Sequence, residues 1–254
     1  MLDLSGVDVR FGGNQVLSGV DMQAAAGFTG LIGPNGAGKT TVFNAVTGYV
    51  RPTAGQIRIG GQPVPPGGPV PVARLGVRRT FQTPRLVGEL DVLSNVLTGL
   101  DSELTRGHGL LEFLGISRRA RAARSRAVEL LGAFGLADAA GEPVANLPLG
   151  SQKIVEVARA LASRPSLVLL DEPAAGLSAA DVDRLVEPLA EIGRADGLAV
   201  VVIEHDLEVV SRLCPRVAVL HFGRILTEGP PAQVVAHPDV VTAYLGASVA
   251  AVHP

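Results

Sequence analysis

The sequence predicts an α/β fold with a mostly parallel sheet core, an N-terminal antiparallel β part and a helical subdomain in the middle. Three observations predict it. After residue 150, short apolar runs alternate with helix-compatible stretches, the pattern of a parallel sheet covered on both faces. The first 60 residues read as strands and turns. Residues 85–145 read mainly as helix.

In chain order, Phe28 to Ile32 forms an apolar strand. A glycine-rich turn follows, then a helix-compatible run from Thr41 to Thr47 closed by Gly48. Gln56-Ile57-Arg58-Ile59 alternates polar and apolar, as a half-buried strand does, and Gly60-Gly61 ends it. Residues 60–72 hold five prolines and four glycines, which predicts a surface loop without helix. Residues 118–135 form an amphipathic helical stretch with arginines at 118, 119, 121, 124 and 126. A helix from about Ser151 to Ser163 places Ile154, Ala158, Leu161 and Ala162 on one face. Residues 166–171 read as a short buried strand and residues 198–206 as a second one. Between them Ser178 followed by Asp181 resembles a capping box, with Val182, Leu185, Leu189 and Ile192 as the apolar stripe and Pro188 as a kink. Residues 216–229 read as a strand pair turning at Phe222-Gly223.

Composition excludes several classes. With 47% apolar and 18% charged residues, the 254-residue chain is neither disordered nor a coiled coil. A single cysteine, Cys214, rules out a disulfide framework and a cysteine-rich metal site, and reads as an inert, partly buried thiol. A net charge of −2 offers no basic footprint for nucleic acid. Mean hydropathy is high at +0.33, yet no apolar run reaches the length that spans a bilayer, and MLDLSGVDVR carries acid where a signal peptide carries base. These features predict a cytosolic chain with apolar surface for docking. All but two of the 22 basic residues are arginine; the exceptions are Lys39 and Lys153.

Lys39 lies in the strongest motif, GPNGAGKTT (33–41), where Gly33 is followed after four residues by Gly38-Lys39-Thr40. Glycines let backbone N–H groups converge on phosphate oxygens, and the helix that follows adds a partial positive charge at its N-terminus. Lys39 would reach the β and γ phosphates, and the Thr40 hydroxyl would complete a Mg²⁺ shell. The second element, LVLLDEP (167–173), brings two carboxylates to a strand C-terminus, where open α/β sheets bind ligands. Asp171 can hold Mg²⁺ through water, and Glu172 can direct an attacking water as general base. Alone, this segment reads equally well as a strand ending in solvated acids.

From these residues onward the chain resembles the ATP-binding subunits of ABC transporters. RTFQ (79–82) resembles the Q-loop, LPLGSQ (147–152) stands where the family places its signature, IEHD (203–206) resembles the switch-histidine segment, and RFGG (10–13) carries an aromatic. DEPAAGL, VRRTFQTPRL, VVIEHDL and HPDVVTAYLG are similar to one ATPase of the branched-chain amino-acid importers, and the resemblance covers nearly the whole chain. It implies a P-loop NTPase of the ABC ATPase type, one domain over residues 1–254, with a helical subdomain at about 83–165 inserted in a RecA-like core. It implies ATP and Mg²⁺ as ligands. Phe11, Val16, Gly33, Pro34, Asn35, Gly36, Ala37, Gly38, Lys39, Thr40 and Thr41 would bind nucleotide. Thr40, Gln82 and Asp171 would hold the metal. Glu172, His205 and Gln82 would be catalytic, and Gly150 and Ser151 would act on the nucleotide of the opposite subunit. Implied partners are two transmembrane permease subunits, a second, related but different ATP-binding subunit, and a periplasmic or lipid-anchored substrate-binding protein, with no nucleic acid. The implied location is peripheral, at the cytoplasmic face of the inner membrane. Closely similar ATPases serve urea and short-amide importers, so the motifs leave the substrate open.

The signature departs from the family's LSGGQ: Pro148, Leu149 and Ser151 replace the Ser, the first Gly and the Gln. One lost hydroxyl–phosphate bond costs about 1.5–3 kcal/mol. Ser178 stands where the family usually has Asp or Asn. These departures keep open a regulatory subunit without turnover, beside a soluble, non-transport ATPase of the same domain type. The arginine run reads either as a solvated helix face or as a contact for anionic lipid or a permease loop, with apolar GLLEFLGI (109–116) just before it.

Overall fold

A computed structural model describes residues 1–100 and 118–250; the apolar segment 109–116 lies outside the described residues. An antiparallel sheet of order β2-β1-β4-β5 contains β1 (Leu2–Phe11), β2 (Asn14–Ala24), β4 (Ala54–Ile59) and β5 (Gln62–Pro63). The second sheet, of order β10-β9-β3-β8-β7-β6, contains β3 (Gly27–Ile32), β6 (Val77–Arg79), β7 (Leu167–Asp171), β8 (Ala199–Ile203), β9 (Arg216–His221) and β10 (Arg224–Gly229). Its strands β9, β3, β8, β7 and β6 are parallel, and β10 pairs antiparallel at one edge.

The unbroken apolar strands serve two cores at once. Leu167, Leu169 and Val201 face a core shared with the antiparallel sheet and with α1 (Lys39–Val46). Val168, Leu170, Val200 and Val202 face the opposite core. A strand side chain changes face at every residue, so a strand buried on both sides must be apolar throughout. The second core is covered by α3 (Val92–Thr98), α4 (Arg118–Ala133), α5 (Leu149–Ala162), α6 (Ala179–Ala195) and α7 (Leu207–Leu213). The short α8 (Pro231–Val235) and α9 (Pro238–Ala250) follow β10.

Three expectations need correction. Residues 69–74 form a short helix, α2 (Pro69–Arg74), where a loop was expected. Prolines 69 and 71 fall in its first turn, where no N–H has a helical acceptor, so they cost it nothing. Within 85–145, α-helix among the described residues is confined to Val92–Thr98 and Arg118–Ala133, with a short 3-10 turn starting at Val144; Asp91 caps the former through a bond from the Ser94 N–H. Helix α5 opens at Leu149 behind Pro148, two residues before Ser151. As expected, Ser178 caps α6: its hydroxyl accepts from the Asp181 N–H and donates to the Asp181 carboxylate, 2.7 Å away. That helix continues through Pro188.

Gly193 on α6 sits against β3, where a Cβ would lie 2.7 Å from the Phe28 ring. Alanine for glycine normally stabilises a helix by about 1 kcal/mol. Here overpacking reverses the sign, and Gly193→Ala should destabilise by about 1–3 kcal/mol in denaturant unfolding; a stabilised variant would contradict this packing. Cys214 is buried, and desolvation, aided by the negative charge of Glu204, pushes its thiol up to about 12. A maleimide at about pH 8 should label Cys214 only after unfolding; labelling of the folded protein would contradict the burial.

A candidate nucleotide site at the ends of the parallel strands

The C-terminal ends of β3, β8, β7 and β6 open into one cleft of about 710 Å³. It is lined by Val16 and Asn35 to Thr41 on one side, and by Arg79, Gln82, Asp171, Glu172 and His205 on the other. The structure thus brings together in one cavity most of the residues that the sequence singled out at widely separated positions, from Val16 to His205.

The loop between β3 and α1 has the shape a phosphate requires. Gly38 caps α1 at φ 106° with no side-chain cap, and a Cβ there would meet Leu17 at 2.8 Å. A Cβ on Gly33 would lie 2.0 Å from the Leu220 carbonyl oxygen. Glycine is therefore sterically required at both positions. The N–H groups of the first turn of α1 stay open toward the cleft, a cradle for an anion. Lys39 is buried, and its ammonium donates to the carbonyls of Gly33 (2.6 Å) and Pro34 (3.0 Å). Burial pulls its pKa down, while the charges of Glu172 and Asp171 pull it up.

Glu172 is held on both oxygens. The Gln82 side-chain amide donates to Oε2 at 2.9 Å, and His205 Nε2 lies 2.8 Å from Oε1. Its backbone takes the left-handed conformation, φ 49°, and its N–H donates to the Ile203 carbonyl at 2.9 Å. A non-glycine residue held in that region carries strain of order 1–3 kcal/mol, which the surroundings must offset.

Metal and nucleotide fit this donor set. Among the described residues no three His, Cys, Asp or Glu side chains gather into a metal cage. Thr40 and Asp171 both border the cleft beside the cradle, which suits a hard cation that keeps several waters and completes its shell with phosphate oxygens.

Other predicted residues stand apart. Phe11, at the end of β1, is half exposed and does not line the cleft, whereas Val16 does. Gly150 and Ser151 lie in the first turn of α5, outside the cleft; Gly150 is half-buried and Ser151 is buried. No side chain caps α5, and Gly150 packs close to Leu177 and the Asp181 carboxylate, where a Cβ would lie 3.1 Å and 3.3 Å from them. In the arginine run, Arg126 pairs with Asp196 at 2.8 Å, while Arg118, Arg121 and Arg124 are exposed.

Sequence reasoning missed four charged residues around the site. Arg79 pairs with Asp171 at 2.9 Å, with side chains only 6% and 8% exposed, and donates to Asn44 at 2.6 Å. Glu204 is buried, which raises its pKa; it accepts from the Ala174 N–H at 2.7 Å and so ties the loop after β8 to the loop after β7. Lys153 and Glu156 reach both catalytic loops from α5. Lys153, Glu156 and Glu204 show in the sequence as charges within apolar stretches, but nothing there names their partners, and Arg79 is one of several arginines. Removing one member of a buried pair strands the other, so Arg79→Met should cost about 3–5 kcal/mol in denaturant unfolding; a loss below about 1 kcal/mol would show that Asp171 does not depend on it.

This cleft and its cradle define a P-loop ATPase. The ABC transporter family model matches residues 17–175, and a model for branched-chain amino acid ATP-binding cassette transporters matches residues 224–250. The chain belongs to the ABC transporter ATP-binding family. It is 38% identical over 249 residues to the high-affinity branched-chain amino acid transport ATP-binding protein LivG of Escherichia coli K12, covering 97% of this chain and 98% of the relative. It is 36% identical to the corresponding BraF of Pseudomonas aeruginosa over the same shares. Among solved structures, an ATP-binding cassette of an ABC transporter in its ADP conformation superposes with a TM-score of 0.82 at 29% identity, covering 97% of this chain and 98% of that one. A nucleotide-free cassette gives 0.81 at 28%, covering 96% and 98%.

Proposed function

We propose that this chain binds ATP with Mg²⁺ in the cleft and hydrolyses it to drive an importer of branched-chain or other hydrophobic amino acids. The observation that carries this reading is Glu172, held at the mouth of a phosphate cradle with Gln82 on one oxygen and His205 on the other. The substrate class rests on near-full-length similarity to LivG and BraF and on the C-terminal match at residues 224–250.

Residues 33–41 hold the triphosphate through the backbone N–H groups of Gly36 and Gly38 to Thr41, which line the cleft. Lys39 exchanges its two carbonyl acceptors for β- and γ-phosphate oxygens, which compensate its buried charge better. Val16 at the edge of the cleft would touch the base, and the exposed Phe11, which lies outside the cleft, would reach it from the end of β1. Magnesium, held at Thr40, Gln82 and Asp171, would supply charge neutralisation of the phosphates. Glu172 takes a proton from the attacking water, and His205 and Gln82 fix the orientation of that carboxylate and of the terminal phosphate. The first turn of α5 would face the nucleotide of a second ATP-binding subunit, a related but different chain, with Gly150 nearer the surface than the buried Ser151.

The helical region at about 83–165, inserted in a single domain, passes the movement to two permease subunits, and a substrate-binding protein selects the cargo. No described helix is long and apolar enough to cross a membrane, which suits peripheral attachment at the cytoplasmic face. Glu172→Gln should lower turnover about 10²-fold or more while MgATP binding persists. Steady-state phosphate release and equilibrium binding check this together, and normal turnover would remove Glu172 as the base.

A further inference from the structure

We propose that Lys153 and Glu156, neighbours on one face of α5, are positioning residues that hold Glu172 and Gln82 at bonding distance. The inference rests on the roles assigned to those two side chains above. Lys153 is only 7% exposed, and its ammonium donates to the carbonyl of Glu172 itself at 3.1 Å and to that of Ala175 at 2.7 Å. Glu156 is only 2% exposed. Its two oxygens accept from the N–H groups of Phe81 (3.3 Å) and Arg85 (2.9 Å), which bracket Gln82 in the chain. Arg159, one turn on, pairs with Glu156 at 3.1 Å and donates to the Arg85 carbonyl.

The 2.9 Å bond from Gln82 to Glu172 then closes a ring: Glu172 to Lys153, along the helix to Glu156, into the loop 81–85, and back through Gln82. Both loops leave the ends of β6 and β7, and a loop there is free to swing unless something beyond the strands fixes it. Burying an ammonium and a carboxylate against backbone groups is a costly way to gain stability alone, since each ion loses its hydration. Charge-assisted bonds aimed at chosen carbonyls and N–H groups do fix geometry, and a displacement of about 1 Å at a reacting group can cost 10²-fold in rate.

The test uses the assembled transporter with MgATP. Lys153→Met and Glu156→Gln should each lower kcat about 10-fold or more while KM stays within about twofold. Lys153→Arg, which restores donors to the two carbonyls, should recover most of the wild-type kcat. A kcat within about twofold of wild type in both variants, or a KM that rises in step with the loss of kcat, would overturn the proposal. Should Lys153→Met fail to assemble, Glu156→Gln and Lys153→Arg decide on the same terms. Glu172→Gln is measured in parallel: its normal turnover would bring down the base assignment and this proposal together, whereas its inactivity beside active Lys153→Met and Glu156→Gln would overturn this proposal alone.

Discussion

The site depends on the pairing of three strand ends. Ile203 of β8 pairs with Leu31 of β3 on one side and with Asp171 of β7 on the other. Because parallel strands all point the same way, that register brings the cradle, the two carboxylates and His205 to one level at one edge of the sheet. A slip of β7 by one residue would turn Asp171 to the other face of the sheet and shift Glu172 away from the cleft. Such a slip would also move Leu167 to Leu170 between the two apolar cores, which would have to be repacked.

Above that floor, the cleft is built from charges held out of water. Lys39 rests on carbonyl oxygens, Asp171 on Arg79, Glu204 on a backbone N–H, and the Lys153–Glu156 face of α5 on two loops. Each has the partners a buried charge requires, and most of those partners are backbone groups of the loops that carry the site. The loops are therefore fixed by ionic contacts from beneath, and the surface they expose remains polar.

Much of the fold was legible because its physics is local. A strand buried on both faces must be uniformly apolar, so residues 167–170 and 199–203 stood out. A cradle needs glycine at set spacings, so residues 33–41 stood out. The segment 69–74 misled because proline forbids a helix interior but suits a first turn, and composition does not show where a helix begins. Arg79, Lys153, Glu156 and Glu204 were illegible for a different reason. Their partners are up to 92 residues away in the chain, and many are main-chain atoms with no sequence identity of their own. The altered signature was legible as a departure, but its consequence depends on whether the N–H groups opening α5 are capped, which only three-dimensional structure shows.

Whether residues 33–41 grip a triphosphate is tested most directly by calorimetric titration of the purified chain with MgATP. Saturable binding is predicted, at one site per chain, and its loss when Lys39 is replaced by methionine. Heats indistinguishable from dilution for the unaltered chain, at low and moderate salt alike, would contradict it.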